Sequence, residues 1–258
     1  MRALVTGAAR RLGRAMALAL AEDGWDVAVH YAGSQDEAEA TCAAIRALGR
    51  RATMVQADLL DDAQTRRLLP AAAEALGGPL TLLVNNASIF EHDTVHSATD
   101  ESWHRHIQSN LRAPFLLTQA FAAQVPPVRT DQRGEALASA SIINMIDQRV
   151  LKPTPEFMTY TLAKMGLWAL TRTTAQALAP GVRVNAIGPG PTLQGARQSA
   201  VHFAHQRAAT VLGRGADESD IVAALRYLVS APSVTGQLIC TDGGQHLGWR
   251  TPDVQGTE

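Results

Sequence analysis

Short apolar runs alternate along the chain with longer stretches in which apolar positions recur every three or four residues. Ala3-Leu4-Val5 reads as a first strand running into a glycine-containing segment, and the alanine-rich residues 12–21 read as a helix. DVAVHY, 26–31, is a second strand. A helix over 35–48 stops at Gly49. Residues 52–57 form a third strand, 61–76 a helix ended by Gly77-Gly78, and 80–84 a fourth strand closing at Asn85-Asn86. The pattern continues with a helix over 100–123, a proline-rich surface insertion over 125–135, and a strand over 138–145. A long helix over 155–178 then stops at Pro180-Gly181, and strands follow at 182–187 and 237–240. Strand-helix alternation with near-continuous apolar strands predicts α/β architecture, a parallel sheet covered on both faces. Right-handed crossovers make it a doubly wound sheet of the Rossmann kind, with ligands outside the strand carboxyl ends. Neither a repeat nor a linker divides residues 1–258, so one domain is expected.

Composition narrows the partner rather than the fold. A formal charge of −1 without blocks of like charge leaves no electrostatic footprint for nucleic acid or an anionic membrane. No apolar run reaches the roughly 18 residues that a membrane span requires. Cys42 and Cys240 show no metal or redox spacing, and a strand beginning near Arg2 leaves no room for a signal peptide, so a cytoplasmic protein is expected. The histidine pairs 92/96, 104/106 and 202/205 lack a third ligand, so no metal is expected. The partner is expected to be a small molecule.

Two motifs carry chemistry. Thr6-Gly7 and Gly13 sit between the first strand and its helix, where Gly7 permits a tight turn and Gly13 close packing, and free N–H groups suit a pyrophosphate. The second strand ends His30-Tyr31-Ala32-Gly33-Ser34 without the carboxylate that would bind a ribose 2′-hydroxyl. Arg10 and Arg11 lie in the cradle instead, which favours NADP. Tyr160 and Lys164, one helical turn apart, share a face; a phenol of ordinary pKa about 10 needs such a cation to work near neutrality.

With these marks the chain resembles the short-chain dehydrogenases/reductases over nearly its whole length. The matching residues are Thr6-Gly7-x5-Gly13, Asp58, Asn85-Asn86-Ala87, Asn110, Tyr160-x3-Lys164 and Pro189-Gly190. The resemblance implies a dinucleotide groove lined by Leu12, His30, Tyr31, Ser34, Asp58, Leu59, Asn86, Ala87, Ser88, Pro189, Gly190 and Thr192. It also implies that Asp58 meets the adenine, Asn110 holds a relay water, Lys164 binds the nicotinamide ribose, and the assembly is a homotetramer.

Asp147 stands thirteen residues before Tyr160, where ketone-reducing members of that family usually carry serine. A carboxylate repels a developing alkoxide, whereas a carboxylic acid can protonate a ring nitrogen after hydride arrives. The substitution points to a C=N bond. The runs TGAARRLG, HYAGS, VQADL, LVNNASIF, SIINMID and YTLAKMGLWALT resemble the pteridine reductases in particular. That likeness implies a flat heteroaromatic stacked on Phe90, with Arg11, Ser88 and Ser141 near the ligands and a substrate lid over about 191–215. Two departures stand out: Ala32-Gly33 replaces the subgroup's His-Arg, and Glu91-His92-Asp93 is unusually charged. The leading expectation is an NADPH-dependent pterin or folate reductase, with Asp147, Tyr160, Lys164 and Asn110 catalytic. The alternatives are a carbonyl reductase of 3-oxoacyl thioesters and a dinucleotide sensor without chemistry.

Overall fold

The apolar runs become the inner strands of one sheet in a computed structural model that describes residues 1–195 and 198–249. In chain order the strands are β1 (Arg2–Val5), β2 (Asp26–Tyr31), β3 (Ala52–Gln56), β4 (Leu82–Asn85), β5 (Arg129–Thr130), β6 (Ala136–Leu137), β7 (Ala140–Met145), β8 (Val182–Pro189) and β9 (Leu238–Thr241). Seven of them form a parallel sheet in the order β3-β2-β1-β4-β7-β8-β9, while β5, within the proline-rich insertion, pairs only with β6, just after it. The order reverses between β1 and β4, which opens a crevice at their carboxyl ends.

Side-chain alternation along the strands divides the core. Val27, Val29 and Val84 face helices α1 (Arg11–Glu22) and α2 (Gln35–Ala47), together with α8 (Glu218–Ser230) through Ile221, Leu225 and Leu228. Ala28, Leu83 and Ile142 point the other way, onto α3 (Asp62–Ala75), α5 (Ala113–Ala122) and α6 (Met158–Ala177). The remaining helices are α4 (Asp100–Ile107) and α7 (Ala200–Ala208). Among the described residues no helix is long and apolar enough to cross a membrane.

The helices differ from the sequence expectation in three ways. The helix over 100–123 is interrupted by a π-helical turn at Gln108–Arg112, so it becomes α4 and α5. Helix α6 starts at Met158 rather than 155, because Phe157 adopts a left-handed backbone with φ 57°. Helices α7 and α8 occupy a region in which no element was expected. The signal for α8 was present: a reciprocal cap between Asp217 and Asp220, then Ile221, Ala224, Leu225 and Leu228 at helical spacing. Residues 196–197 of the expected lid, and 250–258 of the expected domain, lie outside the described residues.

His30 fastens the three strands at the crevice. It is 2% exposed, its Nδ1 accepts from the Gly7 N–H at 3.0 Å, and its Nε2 lies 3.0 Å from the Ala57 carbonyl. The first contact requires a bare Nδ1, so the hydrogen sits on Nε2 and the ring is neutral. Burial lowers its pKa from 6.5 to about 4, against the opposing pull of the Ala57 carbonyl and Asp58. This depressed pKa gives stability that is complete above about pH 6.5 and is lost as pH falls through 4. Urea unfolding at pH 7.5 and 4.5 should show the wild type losing about 2–3 kcal/mol from this group, and His30→Gln losing correspondingly less. Equal losses in both proteins would remove the linkage.

Candidate active site

Two side chains, those of Thr6 and Asn86, close the crevice between β1 and β4 onto backbone groups. The Thr6 hydroxyl oxygen accepts from the N–H groups of Asn86 and Ala87 at 2.8 and 2.9 Å. The Asn86 side-chain amide donates back to the carbonyls of Thr6 and Gly7 at 2.8 and 3.2 Å. Gly7 takes φ 62°, and a Cβ on Gly13 would lie 2.1 Å from the Gly7 carbonyl oxygen. Only hydrogen fits there, which lets α1 press its N-terminus onto the turn. Arg10 caps α1 without a side-chain hydrogen bond, and the first turn carries no acidic residue. A cradle a Cβ would fill, with N–H donors and arginines but no carboxylate, fits the phosphates of a dinucleotide.

Arg11 does something the sequence did not suggest. Its backbone is left-handed at φ 53°, and its guanidinium donates to the carbonyls of Gln194 and Leu193 at 2.9 and 3.2 Å. It thereby ties the start of the expected lid to the cradle. The other expected groove residues line the carboxyl edge of the sheet unevenly. Tyr31 ends β2, where its carbonyl accepts from Ala57, and Ser34 caps α2 without using its hydroxyl. Asp58 is exposed and accepts from the Leu60 N–H at 2.9 Å. Ser88 is exposed, its hydroxyl donating to the Ile89 carbonyl. Pro189 ends β8, Gly190 passes so close to Asp242 that a Cβ would lie 2.6 Å from it, and the buried Thr192 hydroxyl donates to the Gly190 carbonyl. Leu12 packs partly into the core, Leu59 is buried in it, and both His30 nitrogens are used internally. The side chains of His30 and Leu59 are buried, at 2% and 6% exposure, which leaves their backbone toward the expected groove.

Ser141 is a correction to the expected site. It pairs in register with Leu82 and Arg183 as the second residue of β7, at the amino end of the sheet. Asp147 is six residues further on, roughly 20 Å of extended chain away. Ser141 is buried within the sheet, at the end of β7 remote from Asp147, and does not join the other residues.

The proton-handling groups do meet. Beyond β7, Asp147 Oδ1 accepts from the Arg149 N–H at 2.8 Å and Oδ2 accepts from the Tyr160 hydroxyl at 3.0 Å. One turn along α6, the buried Lys164 donates to the Met145 carbonyl at 2.8 Å, with its ammonium 5.7 Å from the Tyr160 ring centroid. Burial raises the Asp147 pKa above the usual carboxylate range, although the Arg149 N–H opposes it. Burial also lowers Lys164 to about 8, with Asp147 opposing. The expectation that Lys164 draws the phenol below 10 fails in this state: burial first, and then the Asp147 charge, push Tyr160 well above 10. Tyr160 is therefore a neutral donor hydrogen-bonded to a carboxyl that is unusually ready to take a proton.

Asn110 lies in the π-helical turn, fully buried, with its amide closed on the Ile89 backbone: Nδ2 donates to the carbonyl at 2.8 Å and Oδ1 accepts from the N–H at 2.9 Å. Its side chain holds the loop before Phe90. Phe90 is 49% exposed, stacks on Phe157 at 4.2 Å with planes 9° apart, and meets the Tyr160 ring edgewise at 4.7 Å. Arg149 lies over Phe157, its guanidinium carbon 5.2 Å from the centroid. Sequence reasoning found Phe90 but missed Phe157 and Arg149, since neither belongs to a recognisable spacing. Together these side chains make an aromatic wall beside an acid, a phenol and an ammonium, an arrangement suited to protonating a flat acceptor.

The chain is similar over nearly its whole length to known reductases. A family described as "Enoyl-(Acyl carrier protein) reductase" matches residues 7–246. The 3-oxoacyl-[acyl-carrier-protein] reductase FabG of Staphylococcus epidermidis is 33% identical over 250 residues, covering 95% of this chain and 98% of the relative. The crystal structure of FolM alternative dihydrofolate reductase 1 from Brucella canis, complexed with NADP, is similar with TM-score 0.89 and 42% identity, covering 99% of this chain and 98% of that one. The Brucella suis FolM structure, also with NADP, gives TM-score 0.90 and 43% identity over 98% of each chain.

Burying an ammonium against a pKa of about 8 costs stability at neutral pH. Lys164→Met should gain about 1–3 kcal/mol at pH 7, less whatever the unpaired Met145 carbonyl loses, while abolishing turnover. The stability advantage should fade between pH 8 and 10.5, where the folded wild-type amine is already neutral. A destabilised variant at pH 7 would contradict this account.

Proposed function

The chain belongs to the short-chain dehydrogenase/reductase family, and from that premise we propose that it is an NADPH-dependent reductase of a C=N bond in a dihydropterin- or folate-like ring. It is an NADP-dependent oxidoreductase. The observation that carries the finer reading is the Asp147 carboxyl in hydrogen-bond contact with the Tyr160 hydroxyl. The FolM likeness at 42–43% identity supports it further.

In this reading the Gly7–Gly13 turn and the first turn of α1 hold the pyrophosphate, with Arg10 and Ser34 toward the 2′-phosphate. Asn86, Ala87, Pro189, Gly190, Thr192 and Lys164 hold the nicotinamide half, which supplies the hydride when bound. Phe90 offers a flat apolar surface to the heterocycle, with Arg11 and Ser88 at its rim. As the ring carbon gains hydride, its nitrogen gains a proton from the Asp147–Tyr160 pair, and C=N becomes CH–NH. Lys164 offsets the negative charge left on the pair. Phe115, Leu162 and Met165, exposed on α5 and α6, support assembly into a homotetramer through those helices.

The second reading, reduction of a 3-oxoacyl thioester, draws on the Staphylococcus relative. It needs Asp147 to stay protonated beside a developing alkoxide. A dinucleotide sensor would have no use for three ionisable groups buried together.

NADPH oxidation against dihydrobiopterin, dihydrofolate, dihydromonapterin and an acetoacetyl thioester separates the first two readings; the pterins or dihydrofolate should be favoured. Asp147→Ser should lower kcat/KM for the favoured ring by about 10²- to 10⁴-fold while leaving NADPH fluorescence binding within about twofold. Unchanged ring turnover, or a thioester preference in the wild type, refutes the proposal. Tyr160→Phe should lower reduction of every acceptor by at least about 10²-fold, and retained activity would point to another donor.

A further inference from the structure

Helix α6 begins without a cap of its own. Its N-cap position is Phe157, left-handed and lacking a side-chain oxygen, so the first-turn N–H groups need partners from elsewhere. They find them in the charged loop that the function above does not use. Met158 N–H donates to the Asp93 carbonyl at 3.3 Å, Thr159 N–H to Asp93 Oδ1 at 3.1 Å, and the Thr159 hydroxyl to Asp93 Oδ2. The same carboxylate accepts from the Ser102 hydroxyl of α4 at 3.1 Å. Asp93 is 2% exposed, and a buried carboxylate with three donors at a helix N-terminus is held in place by hydrogen bonding and by the helix dipole.

His106 extends the network. It is fully buried, and its Nε2 accepts from the Glu91 N–H at 3.1 Å. Its Nδ1 therefore carries the hydrogen and donates to the Thr159 hydroxyl at 2.7 Å. Its ring lies edge-on to Tyr160, with centroids 6.0 Å apart. Three elements that are remote in sequence, residues 89–93, α4 and the start of α6, are thus joined one residue before Tyr160.

We propose that Asp93 is the borrowed N-cap of α6 and, through Thr159 and His106, a positioning residue that sets the Tyr160 hydroxyl against Asp147. Asp93 touches neither reacting group. It fixes the axial position of α6, and the 3.0 Å hydrogen bond between Tyr160 and Asp147 leaves little slack for displacement. The proposal rests on Tyr160 being the proton donor, but not on which acceptor it serves.

Asp93→Asn keeps the shape but replaces one accepting oxygen with an NH2 group. Its kcat should fall about 10- to 100-fold on whichever acceptor the wild type reduces, by more than KM changes, with NADPH affinity within about twofold. Thr159→Val should reproduce the loss and Thr159→Ser should restore most of it. Rates are taken per NADPH-binding site, so unfolded protein does not count. A kcat within twofold of wild type in both Asp93→Asn and Thr159→Val would overturn the proposal, as would a parallel fall in NADPH affinity. Should Asp93→Asn not fold, the Thr159 pair decides alone. A wild type that reduces only the thioester sinks the C=N reading and leaves this test intact.

Discussion

Desolvation of three ionisable groups at the end of β7 governs the site. Burial is the largest influence on each, and its sign differs with the charge: it raises Asp147 and Tyr160 and lowers Lys164. The acid and the amine are drawn toward each other in proton affinity, which lowers the cost of moving a proton through the cluster. No single neighbour could achieve this in water, where a unit charge at 4 Å is worth only about 1 kcal/mol. The scaffold serves that burial. The Met145 carbonyl fixes Lys164, the turn after β7 fixes Asp147 through Arg149, and α6 carries Tyr160 and Lys164 on one face.

The cradle works by a different principle, since uncharged side chains fasten backbone groups there. Thr6 and Asn86 lock β1 to β4 with four short hydrogen bonds, and Gly13 removes the one atom that would hold α1 away. Arg11 links the two halves of the crevice. Its guanidinium donates to carbonyls more than 180 residues away in sequence, which ties the start of α1 to residues 193–194. Buried His30 sits beneath this arrangement and keeps the Gly7 turn in register with β3.

The layered fold was legible because its strands are buried on both faces and so read as uninterrupted apolar runs. Helix α8 was equally legible, from its cap and its apolar spacing, and was overlooked. Other features were not available from local sequence. A left-handed Phe157 is set by tertiary packing against Phe90 and Arg149, and its residue type argues against that conformation. The cap that Asp93 lends to α6 spans 66 residues, beyond any spacing rule. Ser141 was misplaced for the opposite reason: its residue type suited a ligand contact, but its register puts it at the wrong end of β7. Residue chemistry located the acid, the phenol and the amine, while only the packed fold revealed that the phenol's proton affinity rises.

That rise bears on the choice of acceptor. The Tyr160 hydroxyl donates to Asp147 Oδ2, which requires an accepting oxygen there. An ionised Asp147 about 4 Å from a developing alkoxide would oppose it by about 4 kcal/mol at an effective dielectric of 20. That is close to a thousandfold in rate. A nitrogen that receives a proton as hydride arrives ends neutral, and the same carboxyl, starting protonated, helps it rather than hindering it. Serine in this place would suit an alkoxide at no electrostatic cost. Reduction of C=N and of C=O each consumes one proton, so the charge on Asp147 decides: ionised it opposes an alkoxide, and protonated it can supply that proton.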